Sequence, residues 1–178
     1  MRASIYPSPS FKKPTASHSG RTLGARAGAP LFTRLSFSLT FIEPGNRMSN
    51  IRYEMNPSLT NDELNPLYEV SWPAHTSFDF MPVLDHALAW VCAYDGPHLI
   101  GFVYVAWDGS QHAFLLEPTV HPGYRLQGIG TELVRRAAEA AREAGCEVLH
   151  VDYEARLAPF YEACGFRPTA AGLIWLRS

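Results

Sequence analysis

The residues best suited to chemistry form one glycine-rich stretch, Val120-His121-Pro122-Gly123-Tyr124-Arg125-Leu126-Gln127-Gly128-Ile129-Gly130-Thr131. The apolar run 113–116 before it predicts a strand, and an apolar helical repeat from Ile129 to Ala141 predicts a helix after it. The first N–H groups of a helix lack backbone partners, and the helix dipole adds partial positive charge there. Because Gly128 and Gly130 leave room above the turn, we predict that a phosphate or pyrophosphate binds here.

The spacing of these glycines excludes two common phosphate-binding loops. A P-loop needs a lysine directly after its last glycine, whereas this chain has no lysine after residue 13. A dinucleotide-binding fingerprint needs a third glycine, which is missing because Thr131 and Glu132 follow Gly130. The pattern that remains is Arg125-x-x-Gly128-x-Gly130, preceded by Val120-x-Pro122.

This pattern resembles the acetyl-CoA signature of the GNAT N-acetyltransferases, Q/R-x-x-G-x-G/A with a V-x-P before it. A second segment about thirty residues later is similar to another motif of that family, Phe160-Tyr161-Glu162-Ala163-Cys164-Gly165-Phe166. The two segments stand in the order and at the distance typical of the family. The resemblance implies an enzyme that transfers an acetyl group from acetyl-CoA, its co-substrate, to a primary amine by direct attack.

The resemblance also implies site residues. The pyrophosphate would be bound mostly by backbone N–H groups of Arg125, Leu126, Gln127, Gly128, Gly130 and Thr131. Val120 would bond the pantetheine arm or the acetyl carbonyl through its backbone. Tyr161 aligns with a tyrosine that lies beside the CoA sulfur, which implies that its phenol protonates the departing thiolate. The alternative is that Tyr161 is a core aromatic, as Phe160 is expected to be.

The general base is left open between three alternatives. Glu117 lies three residues before Val120, where some members carry an acidic residue that faces the substrate. Asp152, at the end of the predicted fifth strand, is the second candidate, and a water chain is the third. A hydrogen-bonded structural role is the alternative for Glu117.

One position departs from the family pattern. Seven residues before the tyrosine, where an asparagine often contacts the CoA arm, this chain has Glu154. A carboxylate near a polyanionic ligand is unexpected and mildly favours divergence. A second function is therefore kept open, a non-catalytic acyl-CoA-binding sensor or regulatory module of the same fold.

The first quarter of the chain differs from the rest in composition. Residues 1–47 hold seven Lys/Arg against one acid, and residues 48–178 hold eight arginines against sixteen acids, a formal charge of −8. A targeting segment and a basic arm are alternatives for 1–47, but Met48 leads directly into a predicted strand. We predict that 1–47 is a disordered N-terminal extension, either an over-extended start or a targeting segment, and that 48–178 is the GNAT domain.

The composition also indicates which binding partners to expect. The acidic domain favours a cationic amine, either a small molecule or a peptide, over nucleic acid. No apolar run approaches the ~18–20 residues of a membrane span, so we expect no membrane partner. The widely spaced Cys92, Cys146 and Cys164 predict reduced thiols in a soluble, cytoplasmic protein, and the scattered histidines predict no metal site. A homodimer is left open.

The element order predicts an α/β fold. Strands are expected at 50–54, 88–94, 99–107, 111–120, 147–152, 166–168 and 173–176, and helices at 64–70, 79–86, 129–144 and 156–164. This order matches the GNAT fold, a mixed, mostly antiparallel central sheet flanked by helices, in which splayed strands 4 and 5 form the acyl-CoA cleft. Pro118 cannot donate a ladder hydrogen bond, so it fits either that gap or an ordinary bulge.

The connection between the first two predicted helices is rich in aromatic side chains, namely Trp72, His75, Phe78 and Phe80. It predicts either a lid over the amine or a hydrophobic plug. Thr60 and Glu63 predict a capping box at the start of the first helix, and Pro73 predicts its end.

Overall fold

The computed structural model describes residues 51–176, so the predictions for residues 1–47 lie outside it. The strands are β1 (Ile51–Met55), β2 (Ala89–Asp95), β3 (His98–Trp107), β4 (His112–Val120) and β5 (Val148–His150). The helices are α1 (Asn61–Ser71), α2 (Met81–His86), α3 (Ile129–Glu143) and α4 (Ala158–Ala163). Short 3₁₀ turns at Pro122–Tyr124 and Ala155–Leu157 precede α3 and α4.

The strands form one mixed sheet in the order β1-β2-β3-β4-β5. The first four pair antiparallel, and β5 pairs parallel to β4 after the α3 crossover. This confirms the predicted α/β class, with a mostly antiparallel sheet flanked by helices. The parallel ladder covers three pairs, from His112 opposite Val148 to Phe114 opposite His150. The splaying of β4 from β5 beyond Phe114 stays a prediction.

The sheet buries both faces against helices. On one face α3 places Ile129, Leu133 and Val134 in a cluster with the sheet, as its periodicity predicts. Full burial of a leucine such as Leu133 stabilises the fold by roughly 1.5–3 kcal/mol. On the other face, α1 and α2 cover β2 and β3 with a second apolar cluster.

The start and end of α1 follow their local signals. The predicted capping box of Thr60 and Glu63 is present, and the Thr60 backbone N–H donates to the Glu63 carboxylate at 3.0 Å. The helix ends at Ser71, one residue before Trp72, whose backbone N–H donates to the Tyr68 carbonyl at 2.8 Å. The end of α1 thereby places Ser71 and Trp72 beside the end of β4.

A β-bulge interrupts β4. Thr119 pairs with Phe102 and Leu116 pairs with Tyr104, so two residues of β4, Glu117 and Pro118, face one residue of β3. Glu117 has a φ of +49°, which is rare for a residue with a Cβ. Pro118 has no N–H to donate, and it lies where the β3–β4 ladder is already interrupted. It therefore sits in a bulge, one of the two explanations that the sequence analysis gave for this proline.

The last two predicted strands are wrong. Residues 166–168 and 173–176 form no strand in the described part of the chain, and Ile174 and Leu176 are exposed. An apolar run forms a strand only where it finds a sheet edge and a face to bury. Among residues 51–176, no helix has the length and apolar character to cross a membrane.

Candidate active site

A cavity of about 300 Å³ lies where four elements converge. It is bounded by the loop before α3, the end of β4, the end of α1 and the segment that contains α4. The lining residues are Ser71, Trp72, Pro118, Thr119, Val120, Tyr124, Arg125, Leu126, Gly128, Gly130, Thr131, Leu157, Phe160 and Tyr161. Six of the seven residues predicted to bind the cofactor are in this set, together with Tyr161. Gln127 is the exception.

The loop before α3 has the geometry of an anion site. Two of its residues adopt left-handed backbone conformations, Leu126 with a φ of +62° and Gly128 with a φ of +82°. Gly128 is the residue before the first turn of α3, and no side chain caps that turn. The unpaired N–H groups and the positive end of the helix dipole are therefore available to a negatively charged ligand.

Leu126 is an unusual residue for this position. Its side chain is 91% exposed, and the left-handed conformation costs a non-glycine residue energy. Gln127, which follows, is exposed and donates its side-chain amide to the Gly123 carbonyl at 3.4 Å. Leu126 and Gln127 are therefore exposed on the loop, and the Gln127 side chain ties it back to Gly123.

Gly130 faces Phe160 of α4. A Cβ at this position would lie 3.4 Å from the Phe160 ring and 3.7 Å from Val120, which are ordinary van der Waals contacts. An alanine therefore fits here, whereas a side chain that extends beyond Cβ would push Phe160 away from the loop. Gly128 has open space above its Cα and serves the backbone turn.

The Arg125 side chain forms hydrogen bonds within the protein, which its position in the motif did not predict. Its Nε donates to the Val120 carbonyl at 3.0 Å, and its Nη2 lies 3.5 Å from the Ser71 carbonyl. The guanidinium thus joins the end of β4 to the C-terminal end of α1, where a cation is favoured by the helix dipole. Its side chain is engaged within the protein, so a role in ligand binding would fall to its backbone.

Tyr161 lies deeper than Phe160. Its ring is 4% exposed, stacks on Tyr153 with ring centres 4.6 Å apart and meets Phe166 edge-on. Burial raises the pKa of Tyr161 to about 12, so its hydroxyl is protonated at neutral pH. Tyr161 is thus a core aromatic that also lines the cavity, and its role as a proton donor stays a prediction.

Glu117 is not among the residues that line the cavity, although it is adjacent in sequence to the lining residue Pro118. Its Oε2 accepts a hydrogen bond from the Tyr68 hydroxyl at 2.9 Å. Burial raises the pKa of Glu117, and the Tyr68 hydrogen bond acts in the opposite direction. Sequence reasoning missed Tyr68 as a site residue, because 49 positions separate the two.

The aromatic connection between α1 and α2 packs against the second apolar cluster. Asn65 fixes it, since its amide oxygen accepts from the Phe78 backbone N–H at 2.8 Å and lies 2.9 Å from His75 Nε2. Phe80 is buried against Tyr68, with ring centres 4.6 Å apart. Among these aromatic residues, Trp72 reaches the cavity, and its Nε1 donates to Thr119 Oγ1 at 3.1 Å.

The Ser71 side chain at the end of α1 carries a buried hydroxyl. Its Oγ is buried and has no hydrogen-bond partner within residues 51–176, while the residue lines the cavity. A buried hydroxyl without a partner loses its water hydrogen bonds with no compensation. The sequence offers no signal for this residue beyond its place at the end of α1.

The remaining candidates lie apart from this arrangement. Asp152 is exposed on the segment after β5, and Glu154 pairs with Arg156. Cys164 is half-buried, and burial raises the pKa of its thiol, which disfavours the thiolate. His150 stacks between His112 and Phe114 on β4 and β5, outside the set that lines the cavity. No group of three or more metal-ligating side chains occurs in the described residues.

Comparison with known proteins gives one family. The model of the acetyltransferase (GNAT) family matches residues 57–166, more than half of the chain. The thialysine N-ε-acetyltransferases of Bos taurus and Sus scrofa are 35% identical over 78 residues and 30% identical over 83 residues. These alignments cover 39% and 45% of this chain and 45% and 48% of the relatives, so the chain spans about half the length of the curated relatives it matches.

Solved structures share the fold. A GNAT family acetyltransferase of Streptococcus pneumoniae superposes with a TM-score of 0.63 at 24% identity, over 71% of this chain and 98% of that one. An aminoglycoside N-acetyltransferase in complex with CoA superposes with a TM-score of 0.60 at 18% identity, over 76% of this chain and 99% of that one. At these identities the likeness concerns the fold alone.

Proposed function

The chain belongs to the GNAT acetyltransferase family, and from this premise we propose that it transfers an acetyl group from acetyl-CoA to a primary amine. The observation that carries the proposal is the cavity that joins the Gly128 loop to Tyr161. One end offers the start of a helix to phosphates, and the other offers the protonated phenol of Tyr161. The amine attacks directly, so no covalent enzyme intermediate is required.

Several features support acetyl-CoA as the co-substrate. We assign the pyrophosphate to the backbone N–H groups between Arg125 and Thr131, where two left-handed residues turn the loop. We assign the Val120 backbone N–H to the pantetheine arm or the acetyl carbonyl, because the Val120 carbonyl oxygen already accepts from Arg125. The buried Ser71 hydroxyl fits the polar groups of such a ligand. When bound, acetyl-CoA supplies the thioester that the amine attacks.

We assign proton donation to Tyr161. The leaving group is a thiolate, which needs a proton as the thioester breaks. The raised pKa of Tyr161 keeps its hydroxyl protonated over the whole range in which an amine nucleophile is available. Its stacking on Tyr153 and Phe166 fixes the ring, so the position of the hydroxyl does not depend on a loop.

We assign the base to Glu117. An ammonium group must lose its proton before it can attack, and a carboxylate accepts that proton better when its pKa lies above the usual range. Burial raises the pKa of Glu117, whereas Asp152 lies exposed after β5. The bulge at Glu117 turns this side chain toward α1, on the same side as Trp72.

The acceptor is proposed to be a cationic primary amine on a small molecule or peptide. Two matched relatives are named for thialysine, whose acetylated group is an ε-amine. The net negative charge of residues 48–178 favours a cation. Thialysine is therefore the first probe, followed by lysine, a polyamine and a peptide with a free N-terminus.

Release of free CoA thiol from acetyl-CoA in the presence of each amine tests the activity. Amine-dependent release, with the acetylated product identified by mass spectrometry, is the expected result. Binding of acetyl-CoA without release for any of the four probes would instead favour the non-catalytic acyl-CoA-binding module. If acetyl-CoA does not bind and no CoA thiol is released, the proposal is refuted.

The phosphate loop is tested separately by Gly128→Glu. The new carboxylate would repel the pyrophosphate, so acetyl-CoA should no longer raise the melting temperature, as a ligand specific to the folded state otherwise does. Gly128→Ala is the matched control, because it carries the same left-handed strain without the charge. Normal acetyl-CoA binding by Gly128→Glu would show that the phosphates lie elsewhere.

A further inference from the structure

Glu117 is held from the opposite element by a tyrosine that no sequence motif indicates. The Tyr68 hydroxyl on α1 donates to Glu117 Oε2 at 2.9 Å. Tyr68 is buried in the cluster between α1, α2 and the sheet. The hydrogen bond therefore forms away from bulk water, where a charge-assisted bond is stronger than one at the surface.

The Tyr68 ring has little freedom to move. It packs against Phe80 with ring centres 4.6 Å apart and against His75 at 5.5 Å. Trp72 stacks on it from the next turn of α1, and Phe102 contacts it from β3. Four rings thus fix the direction in which the hydroxyl points.

The backbone of Glu117 is fixed from the same side. Thr119 Oγ1 donates to the Glu117 carbonyl at 2.9 Å and accepts from Trp72 Nε1 at 3.1 Å. The left-handed conformation of Glu117 is held by this arrangement around the bulge. Strained backbone that the surrounding structure over-determines is typical of functional sites.

We propose that Tyr68 is a positioning residue, which holds Glu117 Oε2 so that Oε1 meets the acceptor amine. The inference rests on the proposed function, because it requires Glu117 to be the base. Tyr68 itself touches neither the amine nor the thioester. Its role is to give the carboxylate one orientation and to stabilise its ionised form.

The contacts of Tyr68 predict the direction in which it shifts the pKa of Glu117. A donor to a carboxylate favours the charged form and lowers its pKa, while burial raises it. The titratable groups around the pair are Tyr104 from β3 and His75 from the α1–α2 connection, both facing Tyr68. Removal of the Tyr68 hydroxyl leaves the burial of Glu117 in place, so the pKa of Glu117 should rise.

Carbon-13 NMR of the full chain measures this directly. The Glu117 carboxyl signal, assigned with Glu117→Gln, should titrate about one pH unit higher in Tyr68→Phe than in the unmodified protein. In the unmodified protein, the ζ-carbon of Tyr68 should follow the same titration midpoint. The second measurement needs no variant, so it stands even if Tyr68→Phe fails to fold.

Kinetics with an accepted amine give the functional readout. In Tyr68→Phe, the acidic limb of kcat/KM should move to higher pH by the same amount, with KM for acetyl-CoA unchanged. Tyr94→Phe is the matched control, because Tyr94 is buried in the same cluster and pairs with β1 and β3. It should leave both the Glu117 signal and the pH profile in place.

Two outcomes separate the inference from its premise. Full activity of Glu117→Gln would overturn the assignment of the base and, with it, the role of Tyr68. Loss of activity in Glu117→Gln, together with an unchanged Glu117 titration in Tyr68→Phe, would overturn the role of Tyr68 alone.

Discussion

Tyr161 belongs to the core and also lines the cavity. Its ring serves packing, and its hydroxyl is the group that we assign to catalysis. The ring packs on Tyr153 and Phe166 and fills the space beside α3. A phenylalanine would keep these contacts, because it differs by one oxygen. The same substitution therefore tests catalysis without creating a cavity in the core.

Tyr161→Phe should lower kcat by ~10²–10⁴-fold, the range for a general acid, because the thiolate loses its proton donor. Acetyl-CoA affinity, measured by calorimetry, should stay within about threefold of the original value, since the ring that lines the cavity remains. The melting temperature is the control for packing. An unchanged kcat with any accepted amine would reject the acid role and leave water as the donor.

Ser71 gives a prediction in which stability and affinity change in opposite directions. Its buried hydroxyl has no partner among the described residues, so Ser71→Ala should leave the melting temperature of the free protein equal or raise it. If the hydroxyl bonds the acyl donor, the Kd for acetyl-CoA should rise about five- to tenfold, the worth of one hydrogen bond. Unchanged affinity would contradict that contact.

At the scale of elements, α3 carries the phosphate loop and must itself be stable. Its first turn contains Glu132, which accepts hydrogen bonds from Arg135 at 2.9 Å and from Arg136 at 2.6 Å. These bonds lower the pKa of Glu132 to about 2, and the hydrogen bond to Arg135 has the largest effect. A carboxylate at a helix N-terminus also complements the helix dipole.

Glu132→Gln should destabilise the fold by roughly 1 kcal/mol at neutral pH, a figure reduced for partial solvent screening. Because the folded pKa is lowered from 4.5 to about 2, the contribution is complete above pH 4.5 and is lost as the pH falls toward 2. The difference in unfolding free energy from the original protein should therefore shrink over that interval.

Glu139→Gln is the matched control for this measurement, because Glu139 forms an exposed pair with Arg142 on the same helix. Its effect on unfolding should be near zero at every pH. A pH-independent difference for Glu132→Gln would mean that the ion pairs of Glu132 do not stabilise α3.

At the scale of the whole molecule, the family match covers residues 57–166, all of which follow Met48. A chain that starts at Met48 should therefore unfold cooperatively and show the same acetyl-CoA-dependent rise in melting temperature as the full chain. Thermal unfolding with and without acetyl-CoA is the measurement. Loss of cooperative unfolding would show that residues 1–47 belong to the domain.

A second truncation tests where the domain begins. A chain that starts at Leu59 lacks β1, which pairs along its whole length with β2 from Ile51 opposite Asp95 to Met55 opposite Val91. Its loss exposes the edge of the sheet and part of the α3 cluster. This shorter chain should melt at a clearly lower temperature than the chain that starts at Met48.

Local patterns were sufficient for the sequence to predict α3, the turn before it and the strands β1 to β4. The reason is that a helix face, a capping residue and a glycine turn are each set by contacts within a few residues. The loop from Arg125 to Thr131 was predicted in the same way, because the proposed anion site consists of its own backbone. Tyr161 came from a motif of similarly short range.

Contacts between distant elements were decided only by the tertiary structure. The Tyr68–Glu117 pair and the Arg125 bridge to Ser71 join positions 49 and 54 residues apart. No period or spacing in the sequence encodes which side chains meet across a sheet. The absent strands at 166–168 and 173–176 have the same cause, since an apolar run forms a strand only where the fold supplies an edge and a face to bury it.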